Sequence, residues 1–183
     1  MAPFDRLIAA ATIRRLVIVA LICGGIRYGV MPRIGAELLT TPDAGPLDLM
    51  FAYTPAAAFA NIGAFSDSAR SSYRMFLVTA DIAYPISYTL LFVWAIALVT
   101  RTTRLEHARW PFAPPLLLFG FDILENATVF MLLSLHPDQP VALAWLASIF
   151  TTLKWSFAGV TMLVLVYALG LRLLKQGTPP ESQ

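Results

Sequence analysis

Cysteine, histidine, lysine and charge of either sign are all scarce in this chain. The lone cysteine, Cys23, lies inside an apolar run. That excludes an internal disulfide, a CxxC redox pair and a cysteine-ligated zinc site. It reads as a small core residue. The two histidines are His107 and His136. His107 reads as a solvated loop residue. His136 with Asp138 makes too small a donor set for a metal ion. No Gly-rich phosphate loop and no Ser-His-Asp arrangement occurs, so hydrolase and haem chemistry have no residues to rest on and no cofactor is expected. Charged residues make up 13% of the chain, against about 25% in a soluble domain. The net charge of +2 gives no footing for nucleic-acid binding. Only two lysines, Lys154 and Lys175, stand among the 13 basic residues. With abundant alanine and proline, this reads as a GC-rich bacterial coding sequence.

Apolar residues are what the chain has instead. They account for 58% of its 183 positions, and the mean hydropathy is +0.70. A membrane-crossing helix needs about 20 mostly apolar residues. Four segments qualify, at 16–31, 75–100, 115–135 and 141–171. The fold class expected is all-α, a four-transmembrane-helix bundle in one integral membrane domain over 1–176, with a disordered tail at 177–183. Pro32 is expected to stop the first helix, and the prolines at 111, 114 and 115 to open the third. Arg6, Arg14, Arg15, Arg101, Arg104, Arg109, Arg172 and Lys175 fall on one side of this arrangement. Only Arg33, Arg70 and Arg74 fall on the other. The positive-inside rule then puts both termini in the cytoplasm, in a bacterial inner membrane. Trp110 and Trp145 sit near opposite ends, as interfacial anchors do. Arg14-Arg15 before an apolar run also resembles a secretory or twin-arginine signal. Gly24-Gly25-Ile26-Arg27 follows instead of a small-x-small cleavage site, which favours a retained helix.

The loop at 32–73 is too apolar to be fully solvated, with Leu47, Leu49, Met50, Phe51 and Tyr53 close together. Thr54-Pro55 predicts an N-cap followed by proline at the first helical position, opening a short helix toward Gly63. Ser66 predicts a second cap, from which the chain climbs into the second span. The loop is expected to form a helical outer cap, either packed in place or acting as a lid over a site that opens outward.

Five ionisable groups lie within the apolar runs: Arg27, Asp81, Asp122, Glu125 and Lys154. Each costs roughly 2.5–3.5 kcal/mol on insertion scales, so such groups face a bundle interior or a cavity. At 1.5 Å per residue, Arg27 and Asp81 fall about 9 and 10 Å below the outer edge, and Asp122 and Lys154 about 21 and 20 Å. The matched depths predict two ion pairs, Arg27–Asp81 and Asp122–Lys154. Glu125, at roughly 16 Å, is left to hold a proton or to share one with Asp122. Asp122, Glu125 and Asn126 share one helix face. Asp81, Tyr84 and Tyr88 make a similar stripe beside Pro85, where a kink and a freed carbonyl are expected. Ser148, Thr151, Thr152 and Trp155 line the fourth helix beside Lys154. The candidate site is therefore Glu125 and Asp122 for proton transfer, with Asp81, Tyr84, Tyr88, Asn126, Lys154 and Trp155 around a ligand. The ligand expected is a membrane lipid or hydrophobic small molecule. Two other readings stay open. In one, the charges are interhelical glue in a structural or assembly subunit. In the other, they carry protons in a permease, although no inverted repeat of broken helices is present. Protein partners and homo-oligomerisation are left open.

Several markers form a pattern: Asp48-Leu-Met-Phe-Ala-Tyr53-Thr54-Pro55, Gly63, Arg70-Ser-Ser-Tyr73, Asp81-Ile-Ala-Tyr84-Pro85 and Phe121-Asp122-Ile-Leu-Glu125-Asn126. Over roughly 48–160 this resembles small four-helix membrane proteins of unknown function, a resemblance that implies a fold and no chemistry. The chain is also similar, by analogy of size and of buried acidic and aromatic residues, to the emopamil-binding and sterol isomerase proteins. That analogy implies protonation chemistry or the binding of amphiphiles around Glu125, Asp122, Asp81, Tyr84 and Trp155. The chain departs from it in having no membrane histidine and in placing Lys154 among these residues. Vitamin K epoxide reductases and disulfide-bond oxidases share the four-helix plan, but a single cysteine excludes their chemistry.

Overall fold

The structure, a computed structural model, describes residues 3–34, 36, 38 and 44–176. The tail at 177–183 and part of the loop at 32–73 lie outside the described residues. In chain order the helices are α1 (Pro3–Ala9), α2 (Ile13–Gly25), a π-helical turn (Ile26–Val30), α3 (Met31–Ile34), α4 (Pro55–Ala64), α5 (Asp67–Val78), α6 (Ala80–Thr100), α7 (Ala113–Leu135) and α8 (Val141–Gln176). Short 3-10 turns lie at Leu47–Leu49 and Trp110–Phe112, and no strand occurs among the described residues.

Four helical stretches are long and apolar enough to cross a membrane: Ile13–Arg33, Asp67–Thr100, Trp110–Leu135 and Val141–Lys175. They overlie the four expected spans and overrun most of their ends. Large apolar side chains such as Leu21, Leu163, Val166 and Leu174 point outward. Asp122, Glu125, Asn126, Thr151 and Lys154 are buried. This inside-out distribution suits a hydrocarbon solvent, in which polar groups must find partners within the bundle.

One local expectation needs correction, and one helix break has no counterpart among the expectations. Pro32 does not stop the first helix. The preceding π-helical turn carries the chain past it, the Met31 N–H reaching back five residues to the Ile26 carbonyl. A wider turn of this kind accommodates a residue that cannot donate its own hydrogen bond. The break in the second span falls at Thr79, where φ is −123° and ψ is −89°, and Pro85 sits inside a continuous α6. The two caps are found where expected. Thr54 accepts from the Ala57 N–H at 3.2 Å and Ser66 from the Ala69 N–H at 3.1 Å.

Helix α1 was not foreseen, because seven residues are too few for a clear periodic signal. It is strapped to one end of the bundle. Phe4 meets Phe112 edge-on at 5.7 Å. Trp94 donates its indole N–H to the Leu7 carbonyl at 3.0 Å, and Arg101 donates to the Ala11 carbonyl at 2.6 Å. Asp5 forms an ion pair with Arg109.

Candidate functional site

Three long helices bring the predicted site residues together. Helix α7 presents Asp122, Glu125 and Asn126, one helical turn apart, to the interior. Helix α8 brings Lys154 opposite them. The ammonium forms its close ion pair with Glu125 and lies 3.7 Å from Asp122 Oδ1. Thr151, one turn before Lys154, donates to Glu125 Oε1 at 2.6 Å. From α6, the Tyr88 hydroxyl donates to Asp122 Oδ2 at 2.5 Å. Glu125 is therefore not the leftover carboxylate. Two carboxylates at i and i+3 lie close enough for one ammonium on a flexible stem to serve both, and Glu125 is the nearer.

The expected Arg27–Asp81 pair does not form. Arg27 falls in the π-helical turn, and its guanidinium lies over the Tyr28 ring, 5.7 Å from the centroid. Asp81 is 4% exposed, and its Oδ2 accepts no hydrogen bond from the described residues.

A fourth buried carboxylate, Asp48, joins the cluster from the connecting segment. Tyr73, fully buried, donates its hydroxyl to Asp48 Oδ1 at 3.0 Å and accepts the Leu47 N–H at 2.8 Å. Lys154 and Trp155 donate to the Asp48 carbonyl at 3.2 and 3.1 Å. This explains a tryptophan far along a spanning helix: its indole N–H has a buried acceptor. Further contacts follow, from the Tyr53 N–H to Ser148 at 3.0 Å and from Thr152 to the Phe51 carbonyl at 3.1 Å. Residues 48–53 thus run beside α8 over positions 148–155, roughly 10–20 Å from its start. Irregular backbone is tolerated there because protein groups satisfy it. The Tyr53 phenol is pushed up to about 12, chiefly by burial. It stays protonated, 3.4 Å from the Thr151 hydroxyl.

These groups surround a cavity of about 470 Å³, within the range of small-molecule sites. Arg27, Asp48, Asp81, Tyr84, Tyr88, Asp122, Lys154 and Trp155 line it, between apolar walls that include Phe76, Leu91, Phe92 and Leu118. Tyr84 and Tyr88 pack edge to face, 5.2 Å apart. Glu125 and Asn126 stand behind this lining, Glu125 with no exposed surface. Among the described residues no three side chains are grouped to hold a metal ion.

Asn126 has a specific task. Pro85 cannot donate to the carbonyl four residues earlier, which is that of Asp81. Asn126 Nδ2 donates to that carbonyl at 2.6 Å. The proline frees an acceptor on α6 and the asparagine on α7 occupies it. Asn126→Leu should therefore cost about 1–2 kcal/mol. In a Pro85→Ala background, where residue 85 regains its N–H, the same change should cost much less. A double-mutant cycle of unfolding free energies measures this, and equal costs in both backgrounds would remove the assigned role. The chain matches no known protein family, no characterised protein and no solved structure.

Proposed function

We propose that this chain is an integral protein of a bacterial inner membrane that binds a lipid-like small molecule in the interhelical cavity and acts on it by proton transfer. Both termini face the cytoplasm in this reading, as the arginine distribution supports, and the 3-10 turn at Leu47–Leu49 and helix α4 belong to the opposite side. The observation that carries the proposal is the convergence of Asp122, Lys154 and Tyr88 on one apolar-walled cavity. Asp122 is the group placed to exchange a proton with a ligand, because it lines the cavity and Glu125 does not. Tyr88 holds the Asp122 carboxyl in place. Glu125 anchors Lys154, and so fixes the charge that Asp122 meets. A structural reading has its own support: the Asp48 carbonyl, bonded by both Lys154 and Trp155, uses part of the cluster to hold the chain together.

Mass spectrometry of the small molecules that co-purify with wild type and with Asp122→Asn separates the two. The amide is isosteric and the variant should remain folded. A near-stoichiometric species present in wild type should fall at least about tenfold in Asp122→Asn, a loss of about 1.4 kcal/mol in affinity. Bulk lipid alone, identical in both samples, would leave the structural reading in possession.

A further inference from the structure

Resting on the cavity as a ligand site, we infer that its occupant is a zwitterionic amphiphile, its anionic group held by Arg27 and its N–H-bearing cationic group by Asp81. Lys154 is already committed to Glu125 and Asp122, and the Asp48 carboxylate receives the Tyr73 hydroxyl. Among the described residues that leaves one cation and one carboxylate on the cavity lining, Arg27 and Asp81. Neither takes part in an ion pair among the described residues.

Their chemistries are opposite. Arg27 offers a planar fork of donors and no acceptor, which suits the oxygens of a phosphate or carboxylate. Its guanidinium lies over the Tyr28 ring and forms no ion pair among the described residues. Asp81 offers acceptors. Its Oδ2 is buried and has no donor among the described residues. A buried carboxylate oxygen on the lining calls for a group with N–H bonds, since an unmet buried acceptor is costly. An ammonium provides them and a quaternary nitrogen does not. The apolar walls suit a hydrocarbon tail. Arg27 is exposed at the cavity's edge, where a headgroup arriving from the bilayer meets it first.

The test uses the whole chain in nanodiscs containing equal amounts of phosphatidylethanolamine, phosphatidylcholine and phosphatidylglycerol with identical acyl chains. Native mass spectrometry reads the lipids that stay bound, and lysophosphatidylethanolamine is then titrated in as a free single-chain source of the same head. One phosphatidylethanolamine should be retained over the other two by at least about tenfold. Asp81→Asn should erase its advantage over phosphatidylglycerol, and Arg27→Gln should lower retention of phosphatidylethanolamine. Saturable binding of the lyso form alone, lost in Asp81→Asn, also supports the inference and assigns the source to a free amphiphile. Equal retention of all three lipids would overturn the zwitterion while leaving a lipid-binding cavity. Binding of none of these probes would overturn both readings.

Discussion

Lys154→Met should destabilise the bundle by about 3–5 kcal/mol, the usual cost of removing one partner from a buried ion pair. The ammonium is the group that Glu125 and Asp122 share, and it also donates to the Asp48 carbonyl. Methionine fills a similar volume, so the loss reports charge rather than a cavity. The sharper check is the double variant. Adding Glu125→Gln to Lys154→Met removes the carboxylate left without a partner and should recover a substantial part of the loss, although Glu125→Gln alone is destabilising. Unfolding in mixed micelles titrated with sodium dodecyl sulfate measures all three. A double variant no more stable than Lys154→Met would show that the pair is not the unit of stability described here.

Tyr73→Phe removes one oxygen and should cost about 3 kcal/mol, toward the upper end for buried polar groups left unmet. That hydroxyl is fully buried and works in both directions, accepting from the Leu47 N–H and donating to Asp48 Oδ1. Its loss strands a backbone donor and one side of a carboxylate. The Phe65 ring packed against Tyr73, with centroids 6.0 Å apart, is unaffected by the change, so packing does not confuse the result. Because the hydroxyl holds the Leu47–Leu49 turn, amide hydrogen exchange should rise across residues 47–53 while the interior of α7 keeps its protection. Exchange that rises uniformly along the chain would mean that the hydroxyl supports the bundle as a whole and not this segment.

The spans were legible because hydrocarbon-length apolar runs carry a strong signal, and the Thr54 and Ser66 caps because local chemistry dictates them. Depth matching found the right helices for Lys154 and Asp122. It misassigned the closer partner, because a rise per residue carries no information about which rotamer a long side chain adopts. It paired Arg27 with Asp81 because equal depth fixes neither rotamer nor separation, and the Arg27 guanidinium lies over the Tyr28 ring instead. Asp48 was missed for a different reason. Only tertiary packing folds the connecting segment against α8, and the one available signal was a carboxylate set among Leu47, Leu49, Met50 and Phe51. Pro85 was read correctly as the source of a free carbonyl, but its partner on α7 lay 41 positions away, beyond the reach of local pattern.

The shared ammonium also constrains how the chain enters a bilayer. The first span keeps only 11% of its apolar window buried, against 44% for the third, so the first can rest in lipid with little help. The third carries Asp122, Glu125 and Asn126, and alone in hydrocarbon it would hold two carboxylates with no counter-ion. Its counter-ion arrives with the fourth span, after a connection of only five residues, 136–140. The last two spans therefore suit insertion as a hairpin rather than one after the other. The polar cluster would then act first as the bond that lets this hairpin leave the translocation machinery.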